Sequence, residues 1–288
     1  MKKLSALLLC VILGTISLFS MNWPVQPGII EKNFGWNEDG QPVLGVIFEA
    51  TGQVLAADNG ELLFYNNSST NASGLPSPLG SWIALDHGAG IVGIYSRMAE
   101  GQNHEVSNFS ERNNTIGSSG MSGWTERTGV YFSLFDRRER RWINPAIIIN
   151  PAPVSRPMII QSVMLRSASG EMIDLSQARN INQGRYSILT RVSETPFAAG
   201  RTPLAPFRII CTVNGLETGR LNFESYTARD GVLMAHGNNL IPARQAFASD
   251  PYYELGSINF ARGQVVLEII THNVSGGTRN AVFRFTVE

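Results

Sequence analysis

Cysteine is almost absent: the chain has only Cys10 and Cys211. Two cysteines, one of them in an N-terminal apolar run, exclude a disulfide framework and a zinc knuckle. Cys211 lies in the apolar stretch 207–213, where a thiol acts as a small hydrophobe. Net charge is also missing, with 23 basic against 23 acidic residues, and charged residues make up only 16%. With no overall basic field, nucleic-acid binding through charge is excluded. An apolar share of 43% excludes a disordered chain. Histidine is scarce, at four residues, and neither His-x-His nor His-Glu-x-x-His occurs. Helical periodicity is weak throughout, its best candidate being a short turn at 175–179. No tryptophan follows Trp142.

One long apolar run is present. Lys2 and Lys3 precede an uncharged stretch from Leu4 to Phe19. A basic start, a short apolar run and then a small residue form a secretory signal, which places cleavage near Ser20. An uncleaved anchor ranks second, because the run falls short of the ~20 residues that span a bilayer. Cys10 has Leu7, Leu8 and Leu9 before it rather than small residues, so a lipoprotein reading is discounted. With the signal removed, no transmembrane segment is expected. The mature chain is expected in the periplasm or outside the cell.

Strand signals fill the rest. Segments 43–48, 61–65, 82–86, 91–95 and 130–135 are short, rich in β-branched and aromatic residues, and bounded by Gly, Asn or Pro. Asn66–Pro78 reads as a polar surface loop. Pro145, Pro151, Pro153 and Pro157 mark an extended connector. Beyond it come strand signals at 158–166, 185–192, 207–213, 220–223, 252–258, 264–271 and 281–287. About seven short strands over about 130 residues suggest an immunoglobulin-like sandwich, although the Cys…Trp…Cys hallmark is missing. The expected organisation is a signal peptide at 1–20, a first domain at 21–150, a proline-rich linker at 151–157 and a β-sandwich at 158–288.

Ordered landmarks in the first domain carry a resemblance. They are Trp23-Pro24-Val25 with Phe34-Gly35, then Gly45-Val46, then the run from Thr51 to Leu62 with its Ala56-Ala57-Asp58-Asn59-Gly60 centre. Asp86-His87-Gly88-Ala89-Gly90 and Tyr95-Ser96-Arg97-Met98 follow, then Ile116-Gly117-Ser118-Ser119-Gly120-Met121-Ser122-Gly123-Trp124, Val130 to Asp136, and Asn144-Pro145. In this order they resemble the lysostaphin-type (LytM-like) zinc metallopeptidases, which cut peptide bonds in peptidoglycan. The resemblance implies a mainly β chain, with the open antiparallel LytM-like fold (a duplicated hybrid motif) ahead of the sandwich.

The same resemblance removes the family's chemistry. The family's zinc ligands are a His and an Asp spaced His-x-x-x-Asp and the second His of His-x-His. Those positions fall on Val43, Ile47 and Ser133, and the first His of the pair falls on Tyr131. A further active-site His falls on Arg97. Catalytic zinc needs three protein ligands and an open water position. No zinc or other cofactor is therefore expected, and no catalytic residue. Val43, Ile47, Arg97, Tyr131 and Ser133 mark a candidate groove, with His87 a possible neighbour. Two substitutes come into view: Ser133 with His87 as its base, or Asp86 with Glu49 as a carboxylate pair. The basic run 136–141 reads as a solvated hairpin tip, or else as a contact to anionic wall polymer. His236 and His272 are expected in turns. The leading expectation is a non-catalytic homologue that binds peptidoglycan or regulates a cell-wall hydrolase. An active metallopeptidase and a structural or adhesive envelope protein are the alternatives.

Overall fold

The computed structural model describes residues 21–25, 29–69, 77–101, 107–149, 156–196, 201–247, 249 and 251–288. The expected signal peptide, most of the proline-rich linker, His104 and positions 70–76 of the polar loop lie outside the described residues. The fold is nearly all β. Expected strands appear where β-branched and aromatic residues cluster, generally longer than the apolar signal alone marks.

In the N-terminal half these are β1 (Ile29–Lys32), β2 (Val46–Glu49), β3 (Gly60–Asn66), β4 (Ser81–Asp86), β5 (Ile91–Met98), β6 (Gly129–Asp136) and β7 (Arg141–Ile143). The C-terminal half contributes β8 (Met158–Ser167), β9 (Gly184–Glu194), β10 (Arg208–Val213), β11 (Leu216–Arg229), β12 (Tyr253–Phe260), β13 (Gly263–His272) and β14 (Thr278–Val287). The turn at 175–177 is present, but the α-helix among the described residues is α1 (Ala243–Phe247). His236 and His272 stand in strands rather than turns. Each alternates with core neighbours, Ala235 and Thr271, whose burial sets the period-two pattern.

One antiparallel ladder runs through both halves, in the order β14, β13, β10, β11, β7, β6, β5, β4, β3. Strand β6 is its hinge point. One edge pairs with β5, whereas the other is divided: Gly129–Phe132 pairs β2, and Leu134–Asp136 pairs β7. Strand β7 then pairs Thr227–Ser225 of β11. A second sheet, built from β8, β9 and β12, faces the C-terminal part of the ladder.

Two hydrophobic cores result. The first holds Val46, Phe48, Tyr95, Val130, Phe132 and Leu134 on one face of the N-terminal sheet. The second fills the space between the two C-terminal sheets, with Leu165, Ile188, Ile209, Phe223 and Tyr226 among its members. Phe34 is buried in this second core, and Leu44 and Trp142 pack on it, so the N-terminal half contributes to both. Gly35 lies against Phe223: a Cβ on Gly35 would come within 2.5 Å of the ring, and its φ of +82° also favours glycine. Among the described residues, no helix is long and apolar enough to cross a membrane.

Candidate functional site

Period-two alternation decides which side chains meet. Val46, Phe48, Phe132 and Leu134 face the first core, so Ile47, Tyr131 and Ser133 must point to the other face. Pairing brings Ile47 opposite Tyr131, with Ser96 on its far side. Gly45 lies against both Tyr131 and Ser133. A Cβ there would stand 2.8 Å from the Tyr131 ring and 2.9 Å from the Ser133 Cβ. The absent side chain of Gly45 thus admits the tyrosine ring. Val43 is held by backbone bonds to Gly35 and Trp36, both 2.9 Å. The structure therefore brings Ile47, Tyr131 and Ser133 together around Gly45, on one face.

That face is closed. Val43 is 7% exposed, Ile47 3% and Ser133 1%, although none of them belongs to either core. Neither Val43 nor Ile47 offers a lone pair, so the donor set does not fit zinc. Among the described residues, no three His, Cys, Asp or Glu side chains gather as a metal set requires. Burial pushes the Tyr131 phenol up to about 12; a hydrogen bond with Ser133 and the charge of Arg97 pull it down, and Glu38 pushes it up. Tyr131 is therefore a neutral donor and acceptor.

Arg97 is placed by a β-bulge. The β4–β5 register pairs Ser81 with Met98 and Ile83 with Tyr95, which leaves Ser96 and Arg97 both opposite Trp82. Arg97 takes up the extra residue with φ +63°, an uncommon value for a residue with a side chain. Its N–H donates to the Leu79 carbonyl and its own carbonyl accepts from Gly120, each at 2.9 Å. The guanidinium lines an open groove of about 630 Å³, together with Lys32, Glu38, Trp124, Glu126 and Arg127. Its hydrogen-bond partner is the Thr125 hydroxyl, at 3.4 Å. No carboxylate pairs with it among the described residues: Asp86 is taken by Arg137, Lys32 pairs Glu38, and Glu100 accepts from Ser68. Trp124 is 73% exposed on the same groove. Trp124 closes the Ile116–Trp124 landmark, but the sequence does not single out Thr125–Arg127, whose signal is three polar or charged residues directly after it.

His87 is elsewhere. Its Nδ1 lies 2.9 Å from the Asn59 carbonyl, and its Nε2 lies 3.0 Å from the Tyr95 hydroxyl. A carbonyl only accepts, so Nδ1 carries the proton, and Nε2 accepts from Tyr95, whose oxygen accepts in turn from the Ala57 amide at 2.9 Å. Burial holds the imidazole below its ordinary value, against upward pulls from Asn59, Asp58 and Asp86. Tyr95 faces the core and Ser133 the opposite side, so no Ser133–His87 dyad exists. Glu49 pairs Arg201 and Asp86 pairs Arg137, which removes the carboxylate pair. Burial pushes the Cys211 thiol up to about 11, with a Thr218 hydrogen bond opposing, so it is no nucleophile.

A protein-family model matches residues 157–288, outside the groove. Among curated proteins, none matches the chain. Solved structures are similar to it. The catalytic domain of the prophage-encoded M23 protein EnpA from Enterococcus faecalis, in a mutant form, has 19% identity, with 41% of this chain and 87% of that one covered, at a TM-score of 0.34. The SpoIIQ–SpoIIIAH pore-forming complex gives 17%, 46% and 92%, at 0.37. Lysostaphin from Staphylococcus simulans gives 14%, 72% and 82%, at 0.32. At such values, the reading of the groove rests on its own residues. Parts of the later landmarks lie on strands, at 60–66, 81–86, 91–98, 115–118 and 129–136.

Proposed function

We propose that this chain is an exported, non-catalytic LytM-like protein whose groove binds a carboxylate-bearing peptide. The ligand is a peptidoglycan stem peptide or an acidic segment of a wall hydrolase. The observation that carries the reading is Arg97. It is an arginine in a left-handed bulge, lining an open groove, with no carboxylate partner among the described residues. Backbone strain of order 1–3 kcal/mol persists where the surroundings over-determine it, and such residues cluster at functional sites. A guanidinium presents a planar fork that matches a carboxylate through two parallel hydrogen bonds. Thr125 adds a hydroxyl beside it, and the exposed Trp124 offers an apolar contact on the same groove. With Val43, Ile47 and Ser133 at the positions where the resembled family has its ligands, the chain offers no set to hold a catalytic zinc, and the groove is read as a binding site.

On this reading residues 1–20 direct export and are removed. Residues 21–150 and 158–288 are two modules, the second an immunoglobulin-like sandwich. The test is sedimentation with purified sacculi, followed by titration with stem-peptide fragments. Wild type is expected to bind both. Arg97→Ala and Arg97→Lys should each weaken binding about tenfold or more, because lysine cannot reproduce the fork. The same preparation should contain far less than one zinc per chain. Unchanged affinity in both variants overturns the groove reading, and dialysis-resistant stoichiometric zinc overturns the non-catalytic one.

A further inference from the structure

The groove has a second bulged residue among its liners. In β1, Ile30 pairs with Phe48 and Lys32 with Ile47, which leaves Glu31 as the extra residue. Strict alternation would return Lys32 to the core-facing side of Ile30. The bulge instead brings Glu31 and Lys32 to the groove together. Lys32 is taken by Glu38, whereas the Glu31 carboxylate has no partner among the described residues.

Glu31 and Arg97 belong to one cross-strand row. Lys32 pairs Ile47, Ile47 pairs Tyr131, and Tyr131 pairs Ser96. Glu31 stands beside the first residue of this row and Arg97 beside the last. Each end therefore carries a bulged charge with no ion-pair partner among the described residues, and the two are opposite in sign. Three strand spacings separate the backbones at the two ends, about 14 Å. Both side chains are long, and both line the groove. The other charged liners balance, Lys32 and Arg127 against Glu38 and Glu126. A ligand acidic throughout would thus meet three carboxylates. A ligand with one anionic and one cationic group would meet a counter-charge at each end.

We propose that the groove selects a peptide carrying an ammonium group held apart from a carboxylate, the ammonium on Glu31 and the carboxylate on Arg97. Given the groove reading on which this rests, an amine-bearing peptide fits and a uniformly acidic segment does not. Spacing narrows the ligand further. An α-amino acid holds its two charges too close together to span the row. A lysine followed by a C-terminal residue holds them farther apart, and its methylenes have Trp124 to lie against on the same groove.

The test is calorimetric titration of the full chain with three probes. These are acetyl-Ala-Lys-Ala with a free C-terminal carboxylate, the same peptide with norleucine for lysine, and glycine. The lysine peptide should bind about fivefold more tightly than the norleucine peptide, as the gain of one solvent-accessible ion pair allows. Glycine should not bind. Glu31→Gln should abolish the difference between the two peptides, and Arg97→Ala should weaken both. Equal affinity of wild type for the two peptides overturns the proposal, yet leaves the groove a carboxylate site if both still depend on Arg97. Persistence of the lysine preference in Glu31→Gln overturns the assignment to Glu31, and glycine binding as tightly as the lysine peptide overturns the spacing. Absence of binding of the lysine peptide also overturns the proposal, and sedimentation with sacculi then judges the groove by itself. Should Glu31→Gln fail to fold, the wild-type comparison of the two peptides decides.

Discussion

Glu194 couples stability to pH in a direction opposite to that usual for glutamate. An unfolded glutamate titrates near 4.5, whereas burial takes the folded carboxyl to about 7. Between these values the folded state holds a proton that the unfolded chain has released. The associated stability is fully present below 4.5 and is lost as pH rises through 7. The full swing is on the order of 3 kcal/mol. His87 works in the other sense: its depressed value gives stability that is present above 6.5 and lost as pH falls. Urea denaturation across pH 4.5–8 should therefore show wild type losing stability relative to Glu194→Gln as pH rises. Parallel curves would mean that the carboxyl is solvated. Nothing in the sequence marks Glu194, which sits in the polar triplet Ser193-Glu194-Thr195 at a strand end. Its burial comes from residues distant in sequence, such as Trp23 and Leu204. Val43, Ile47, Tyr131, Ser133 and Arg97 came into view only through the family resemblance of the landmarks around them, and of the five only Arg97 lines the open groove.

At the level of elements, the contact of β2 with β6 is set by Gly45. A Cβ there meets the Phe132 carbonyl at 2.3 Å, closer than it meets the Tyr131 ring. Main chain cannot step aside as a side chain does, so Gly45→Ala should destabilise by about 1–3 kcal/mol. The same cost should appear in a Tyr131→Ser background, because the nearer clash remains. Equilibrium unfolding of the two pairs measures this, and rescue by Tyr131→Ser would place the ring rather than the backbone as the obstacle. Strands read well from the sequence wherever apolar residues alternate, as in β6 and β13. They read poorly where outward positions are polar. Strand β11 spans Leu216–Arg229, yet only 220–223 signals a strand, because Glu217, Thr218, Thr227 and Arg229 dilute the pattern. A long ladder supplies backbone hydrogen bonds on both edges and overrides weak local preference.

For the whole molecule, the joint between the halves is built from backbone. Three residues of β7 link the N-terminal ladder to β11, and Phe34, Leu44 and Trp142 extend the second core. Cutting the chain there would expose these apolar groups and two strand edges together. Calorimetry should accordingly give one unfolding transition, with ratio of calorimetric to van't Hoff enthalpy near one. Two resolved transitions would show the halves to be energetically separate. The proline-rich stretch led to the expectation of a boundary at 151–157. The shared ladder was not legible, because a three-residue strand such as Arg141-Trp142-Ile143 carries no periodic signal of its own.

The closed face around Gly45 has a bearing on the conditions under which such a protein can work. Val43, Ile47 and Ser133 are buried there, and Tyr131 and Ser133 close around Gly45, so this surface is held by packing. Shape here is therefore independent of supply. A chelator strips nothing from this face, and scarcity of transition metals leaves its outline unaltered.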